Sequence, residues 1–308
     1  MKVIPLERIT YRAPLALSFV DGVTGEAVRE GLHVQAWRTS SSGAGPVRRL
    51  QEARPSPQSA LYGFPTLPGL EGYTRGDEVP AGALSYVIEV EDRRERYLPQ
   101  TRRFDLPLPD PAVQRIRLLP DPAYPTPAGF APVRGLLLRT TAPTGVPPQV
   151  TALEPAAWAR VTATAPAPIA TDPPVTYEGF ADARGSFVLF VAHPPIPADT
   201  LLADVTWTIT LAVEHDPVAI AADVEEIRQA RPALAEPAPT HATLTGGPAA
   251  RLFDTVSLVN AEERIYEVVS AVDETSVERT LRFQQPLIVR TEVAGSPEHP
   301  LSEFLIRS

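Results

Sequence analysis

The side chains best suited to acid–base chemistry or metal binding are five histidines, and their spacing matches no known site. The histidines are His33, His193, His215, His241 and His299. No two of them stand four residues apart or in a His-x-Glu pattern, so a zinc-hydrolase signature is absent. His215 precedes Asp216, which could orient an imidazole base, but Asp216 also stands where a helix needs a capping residue. The sequence favours the cap, and His33 is interpreted as a structural strand residue.

Carboxylates occur in pairs near two predicted turns. Asp21 with Glu26, and Glu89 with Asp92, could bind Ca²⁺, but neither pair stands in an EF-hand loop. Aspartate is common in turns because its side chain bonds nearby backbone amides, so we interpret the two aspartates as turn-forming. A pair of carboxylates for glycoside hydrolysis is not excluded by the sequence, since two acids that are distant along the chain can lie close together in the fold.

Other catalytic motifs are also missing. The chain has no cysteine, no nucleophile elbow and no phosphate-binding loop of the Walker type. We therefore predict no catalytic residue, no bound metal and no cofactor, and we predict that the chain is not an enzyme.

Aromatic residues are the better candidates for a binding surface. Rings that flank the predicted loops of the first third could stack on a sugar or anchor a protein interface. Strand aromatics equally serve a hydrophobic core, and the core interpretation is favoured for Tyr62 and Phe64. The candidate interface residues are Tyr62, Tyr73, Tyr97, Phe104 and Phe283.

Short strands must position these side chains, because the chain is rich in proline. Proline makes up 36 of the 308 residues, about twice the usual share of ~5%. Proline lacks an N–H donor and interrupts helices and central strands, which excludes helical bundles, TIM barrels and Rossmann folds. The hydrophobic fraction of 44% is enough for a folded core.

Alternating apolar residues predict an all-β fold with two β-sandwich modules. The first module spans residues 1–120, and a proline-rich linker at 120–130 is expected to be semi-rigid. The second module spans residues 121–215 and repeats the strand pattern of the first, with residues 177–180 corresponding to residues 61–64. Whether the modules are true repeats stays open.

The third segment, residues 216–308, is predicted to be a C-terminal extension with one helix and extended strands. The helix is expected over 217–231, because Asp216 can cap it and Pro217 suits its first position. A proline-rich stretch follows at 232–250, then strands at 264–271 and 279–291. Because so little apolar mass cannot close its own core, the segment is expected to dock on another surface.

Charge and hydropathy limit the partners. The net charge is −9, and residues 121–308 carry most of the acidic excess, whereas nucleic-acid binding needs a basic stripe. No run approaches the roughly 18 apolar residues of a membrane span, and the first residues have no signal-peptide pattern. We expect no nucleic-acid partner, no membrane span, and a location in the cytoplasm or in a particle assembled there.

Residues 20–37 (VDGVTGEAVREGLHVQAW), 64–69 and 85–90 carry a resemblance to a known module. The Asp-x-x-Thr-Gly-x-x-Val turn between two strands resembles carboxypeptidase regulatory-like, transthyretin-type β-sandwiches. The family's Gly-x-Tyr before the last strand keeps only Tyr86 here. The resemblance implies a non-catalytic module.

A second resemblance lies in residues 87–109, in Arg96-Tyr97-Leu98-Pro99 followed by Phe104 and Pro107. The segment is similar to proteins encoded with contractile, phage-tail-like injection systems. This implies a structural protein at the baseplate or tail periphery, with other protein subunits, in multiple copies, as partners. The alternative is a carbohydrate- or cell-surface-binding adhesin module with a glycan as ligand.

Overall fold

The structure is a computed structural model, and the residues that it describes are all in strands, turns or irregular segments. They are residues 13–39, 50–56, 58–70, 84–106, 113–140, 153–167, 172–194, 201, 205–215, 258–259, 276–283, 285–290 and 306–307. The predicted all-β class is confirmed. The predicted helix, the stretch 232–250 and the predicted strand at 264–271 lie outside these ranges. No helix within them has the length and apolar character to cross a membrane.

The first module consists of two sheets that face each other across a shared core. Its strands are β1 (Leu15–Asp21), β2 (Leu32–Arg38), β3 (Gln51–Glu52), β4 (Arg54–Pro55), β5 (Leu61–Phe64), β6 (Leu84–Asp92), β7 (Gln100–Leu106) and β8 (Val113–Leu118). One sheet has the order β4-β5-β1-β8, and the other contains β7-β6-β2-β3.

The second module also has two facing sheets, together with a smaller one. The remaining strands are β9 (Phe130–Leu136), β10 (Leu138–Thr140), β11 (Leu153–Pro155), β12 (Arg160–Ala165), β13 (Val175–Phe180), β14 (Ser186–Ala192), β15 (Thr206–Glu214), β16 (Leu258–Val259), β17 (Ser276–Arg282), β18 (Leu287–Arg290) and β19 (Ile306–Arg307). The facing sheets are β14-β9-β18 and β13-β12-β15-β17, and the small sheet is β11-β10-β19. β16 pairs in parallel with β7 of the first module.

The two modules share one strand topology. In β5-β1-β8 and in β14-β9-β18, the central strand pairs antiparallel with one neighbour and parallel with the other. The series β3-β2-β6-β7 and β13-β12-β15-β17 are both antiparallel throughout. The repetition that the sequence left open is therefore present in the fold. The match of residues 177–180 with 61–64 is wrong, because 61–64 form β5, whose counterpart is β14 and not β13.

The second module takes three strands from the C-terminal extension, and two of them complete its facing sheets. β17 pairs with β15, and β18 pairs with β9. The side chains of Leu281 and Val289 lie fully buried in the second core. In the first module the equivalent connection, from β6 to β7, spans only residues 93–99, whereas residues 215–275 separate β15 from β17. Residues 276–290 are thus part of this module, since they bury their apolar side chains in it.

The predicted strand alternation is confirmed by burial. In β1 the inward side chains of Leu15, Leu17 and Phe19 are fully buried and the residues between them are half-buried. β14 differs, because five consecutive residues are buried. Two of them, Val188 and Phe190, belong to the core of the first module. The outer face of β14 is therefore a contact between the modules.

Two turn glycines with similar backbone angles allow a stability prediction. Gly25 has φ +74° with open space where a Cβ would stand, whereas Gly185 has φ +79° and its Cβ would overlap the Leu137 carbonyl oxygen. That oxygen accepts the Ala156 amide at 2.9 Å. Alanine at either position has the left-handed backbone penalty of about 1–2 kcal/mol. Gly185→Ala should cost roughly 1–3 kcal/mol more, for the displaced hydrogen bond, and equal losses in urea denaturation would contradict this.

Candidate functional site at the junction of the two modules

A buried carboxylate, that of Asp21, lies at the centre of the junction. Its residue is 6% exposed. Oδ2 accepts hydrogen bonds from the hydroxyls of Tyr97, at 2.7 Å, and Tyr124. Oδ1 accepts the backbone amides of Val23 at 2.7 Å and Thr24 at 3.0 Å. Because four donors surround it, the charge is tolerated away from water.

The groups around Asp21 come from different parts of the chain. Tyr97 lies in the turn between β6 and β7, and Tyr124 lies in the linker between the modules. The ring of Tyr124 packs edge-on against Phe190 of β14, with centroids 5.5 Å apart, and lies 5.7 Å from the ring of Tyr97. Asp21, Tyr97, Tyr124 and Phe190, which we call the junction cluster, therefore connect both modules to the linker.

The linker itself is held against the second module. Arg134 of β9 donates hydrogen bonds to the carbonyl oxygens of Pro122 and of Tyr124, the latter at 2.8 Å. The amide of Asp121 donates to the Arg96 carbonyl oxygen at 2.8 Å on the side of the first module. Residues 120–130 were expected to be a semi-rigid spacer, and in the structure hydrogen bonds and packing anchor the linker on both sides.

The Arg-Tyr-Leu-Pro segment forms one wall of the junction. The Arg96 guanidinium donates to Asp92 through Nε at 2.8 Å and through Nη2 at 3.2 Å, and its carbon lies 5.0 Å from the centroid of the Tyr97 ring. Asp92 also accepts the backbone amides of Arg94 and Arg96. Asp21 and Asp92 thus both organise turns, which confirms the interpretation of these two aspartates as turn-forming.

A further contact between the modules is an ion pair of partly exposed charges, which neighbours two ion pairs within the second module. Arg117 of β8 lies 3.9 Å from Glu178 of β13, which is also 3.5 Å from Arg160. Arg160 pairs with Glu214 as well. Arg117, Arg160 and Glu178 border a cleft of about 510 Å³ between the modules. Because such partly exposed pairs contribute only about 0–1 kcal/mol each, the junction cluster is the main determinant of how the modules meet.

The junction shifts the pKa values of its titratable groups. Burial, the largest influence on Asp21, opposes its ionisation, but hydrogen bonds from Tyr124, Tyr97 and the amides of Thr24 and Val23 together hold its pKa below the ordinary value. Burial, and then the hydrogen bond to Asp21, raise the pKa of Tyr97 and of Tyr124. The cluster thus holds one ionised carboxylate between two neutral phenols.

These pKa shifts predict how the free energy of unfolding changes with pH at both ends of the pH range. A lowered Asp21 pKa contributes stability above the unfolded value of about 4, lost as pH falls through the folded pKa. The raised pKa values of the two tyrosines contribute stability below about pH 10, and that stability is lost as the pH rises through their pKa values in the folded chain. We expect Tyr97 and Tyr124 to stay protonated in an alkaline titration followed at 295 nm until the chain unfolds.

The Tyr97→Phe/Tyr124→Phe double variant provides the control for this titration. If both hydroxyls are protected, the variant and the native chain show the same absorbance change before unfolding. The prediction would be contradicted if the absorbance change of the native chain exceeded that of the variant by the contribution of two of the eight tyrosines.

The candidate interface residues fall into different environments. Tyr62, 1% exposed, packs edge-on against Phe19 in the first core, with centroids 5.1 Å apart, so the core interpretation is confirmed for it. Phe104 and Phe283 are half-buried and pack against the first and second cores. Tyr97 belongs to the junction cluster, and Tyr73 lies outside the described residues. In the described part of the chain, none of these rings is fully exposed.

The histidines of the described segments have structural surroundings. Nε2 of His215, which is buried, lies 3.1 Å from the Ala157 carbonyl oxygen, and Asp216 lies outside the described residues. Nε2 of His33 lies 2.8 Å from the side-chain amide of Gln35. No group of three or more potential metal ligands occurs among the residues that the structure describes.

Sequence reasoning missed Asp21, Tyr124 and Phe190 as partners in one site. A signal was present for Phe190, because a nearly continuous apolar strand is typical of burial on both faces. For Asp21 and Tyr124, 103 residues apart along the chain, no local pattern connects the two.

The fold and its junction define a two-module β-sandwich protein. No protein-family model and no curated protein matches the chain. Among solved structures, it is similar to a candidate adhesin from Bacteroides ovatus, with 11% identity, 65% of this chain and 72% of the other covered, and a TM-score of 0.16. It is also similar to a leucine-rich repeat protein from Bacteroides thetaiotaomicron VPI-5482, with 8% identity, 66% of this chain and 22% of the other covered, and a TM-score of 0.19. At TM-scores this low, neither likeness supports a conclusion on function.

Proposed function

We propose that the chain is a non-enzymatic structural protein of a multi-subunit assembly, in which its two modules act as one rigid unit. The observation that carries the proposal is the junction cluster. Interfaces between domains usually permit relative motion unless they are large and apolar. Here the Asp21 carboxylate accepts donors from the turn after β1, the β6–β7 turn and the linker. Any other orientation would leave these buried groups unpaired, which is costly.

The setting that we propose is a contractile, phage-tail-like injection system, at the baseplate or tail periphery. Two sequence resemblances support it: the carboxypeptidase regulatory-like pattern of the first module and the Arg96-Tyr97-Leu98-Pro99 segment. A rigid pair of modules suits a particle whose subunits must keep fixed positions. The adhesin alternative gains no support from the candidate rings of the described residues, since none of them is fully exposed.

The mass of the native assembly tests this proposal. The full chain, tagged and isolated from its native cells, should appear in a particle many times the mass of a monomer, with sheath or tube subunits identified by cross-linking. The Tyr97→Phe/Tyr124→Phe double variant, which loosens the junction, should enter that particle less efficiently. A native chain that is monomeric and cross-links to no other subunit would overturn the proposal.

A further inference from the structure

The outer face of the β14-β9-β18 sheet has a covered half and an open half. Val188 and Phe190 of β14 are covered by the linker and the first module. Across the sheet, Arg134 of β9 is the pairing partner of both Val188 and Ile288. Ile288 of β18 is 59% exposed, and Leu136 of β9 is 38% exposed. Apolar side chains thus lie on this face on both sides of Arg134, and those of β18 lie beyond the edge of the junction.

The open half forms a groove of about 960 Å³, a size typical of ligand sites, about 300–1,000 Å³. Its lining is mostly apolar and aromatic. The residues that characterise it are Phe130, Pro132, His193, Phe283, Pro286 and Ile288. The ring of Phe283 lies against that of His193, with centroids 4.5 Å apart. Burial lowers the pKa of His193, so this wall of the groove is uncharged at neutral pH.

A proline-rich segment already occupies the covered half of the same face. The linker, residues 120–129, contains four prolines, and Arg134 donates to two of its carbonyl oxygens. Tyr124 of the linker packs against Phe190 of the sheet. Thr126–Gly129 then form one wall of the groove, so the open half is continuous with an established contact.

We propose that the groove binds a second proline-rich segment, supplied by a partner protein chain. Proline-rich segments lack many N–H donors and dock in grooves lined by aromatic and apolar side chains. Phe130, Phe283 and Ile288 provide such a surface. This inference rests on the proposed function, because it names the chemistry of one partner in the assembly. Its test uses the isolated chain and does not need the assembly.

The test is a titration of the full chain, labelled at isoleucine methyl groups, followed by NMR. The probe is a peptide with the sequence of residues 232–240, PALAEPAPT. The Ile288 methyl signal should shift and saturate, while that of Ile116, fully buried in the first core, should not. A peptide with its three prolines replaced by alanine should bind at least tenfold more weakly.

Two variants provide matched controls. Ile288→Asp should abolish binding of the peptide, measured by isothermal titration calorimetry on the full chain. Val113→Asp should leave binding intact, because Val113 is 36% exposed on β8, the counterpart of β18 in the first module. If Ile288→Asp fails to fold, Ile288→Ala should still weaken binding.

The outcomes separate the sources of the segment. If replacing Pro232, Pro237 and Pro239 by alanine in the full chain shifts the Ile288 methyl and opens the groove to the peptide, the chain's own residues 232–240 fill the groove, and a partner chain as the source of the segment is overturned. No Ile288 response to either treatment, or equal binding of the alanine peptide, would overturn the groove proposal. The mass of the native assembly would be unaffected by that failure.

Discussion

Replacing Asp21 by alanine is expected to lower the free energy of unfolding by about 3–5 kcal/mol, because each buried donor left without an acceptor costs about 1–3 kcal/mol. The substitution leaves the hydroxyls of Tyr97 and Tyr124 and the amides of Val23 and Thr24 without their acceptor. Each kcal/mol shifts the melting temperature of a chain this large by roughly 2–4 °C. Calorimetry and urea denaturation both measure the loss.

Asp182→Ala is the matched control. Asp182 organises the turn before β14, and its Oδ1 accepts the amides of Arg184 and Ser186, both at 2.8 Å. It is half-buried, and its carboxylate has no tyrosine partner among the described residues. Its removal should cost about 1 kcal/mol, the usual value for a local side-chain to backbone hydrogen bond. Equal losses in the two variants would show that the tyrosines add nothing.

Core strands were predictable from the sequence because burial on one face imposes alternation. Trp207, Ile209 and Leu211 of β15 are buried in this way, and the pattern alone indicated a strand there. Short strands carry less information. Residues 61–64 alternate as well, but four residues do not decide which pair faces inward, and Tyr62 could be placed on either side.

The completion of the second module was not predictable in the same way. β17 returns to β15 after residues 215–275, and the free energy of closing a loop rises only slowly with its length. No local signal therefore marks where a strand returns. A short apolar strand in an extension has the same pattern whether it docks elsewhere or completes a sheet of its own chain.

The junction shows the same limit for the candidate site. Tyr97 was identified as an interface residue, and its contact proves to be within the chain, with Asp21 on a different strand 76 residues away. Aspartate in a turn is so common that nothing marks Asp21 as a buried acceptor for tyrosines. The site forms only where the end of β1, the β6–β7 turn and the linker meet, and the strand topology decides where these three segments meet.

The split second module leads to the other large prediction: a chain that ends at residue 215 should lose the fold of that module. It would lack β17, which pairs with β15 along seven residues, and β18, which pairs with β9. β15 and β9 would then become edge strands, with inward side chains exposed to water. Hydrogen exchange should show lost protection in β12 and β15, while β2 and β6 of the first module stay protected.

Single substitutions in β17 test the same dependence within the full chain. Leu281→Ala removes a fully buried side chain and should cost about 2–5 kcal/mol. Thr280→Ala, at its exposed neighbour, should change stability by no more than about 0.5 kcal/mol. If a chain ending at residue 215 kept its protection in β15, the second module would close without the extension, and Leu281→Ala should then be nearly neutral. Because the Leu281 side chain lies in the same core as Trp207 and Ile209, we expect the large loss.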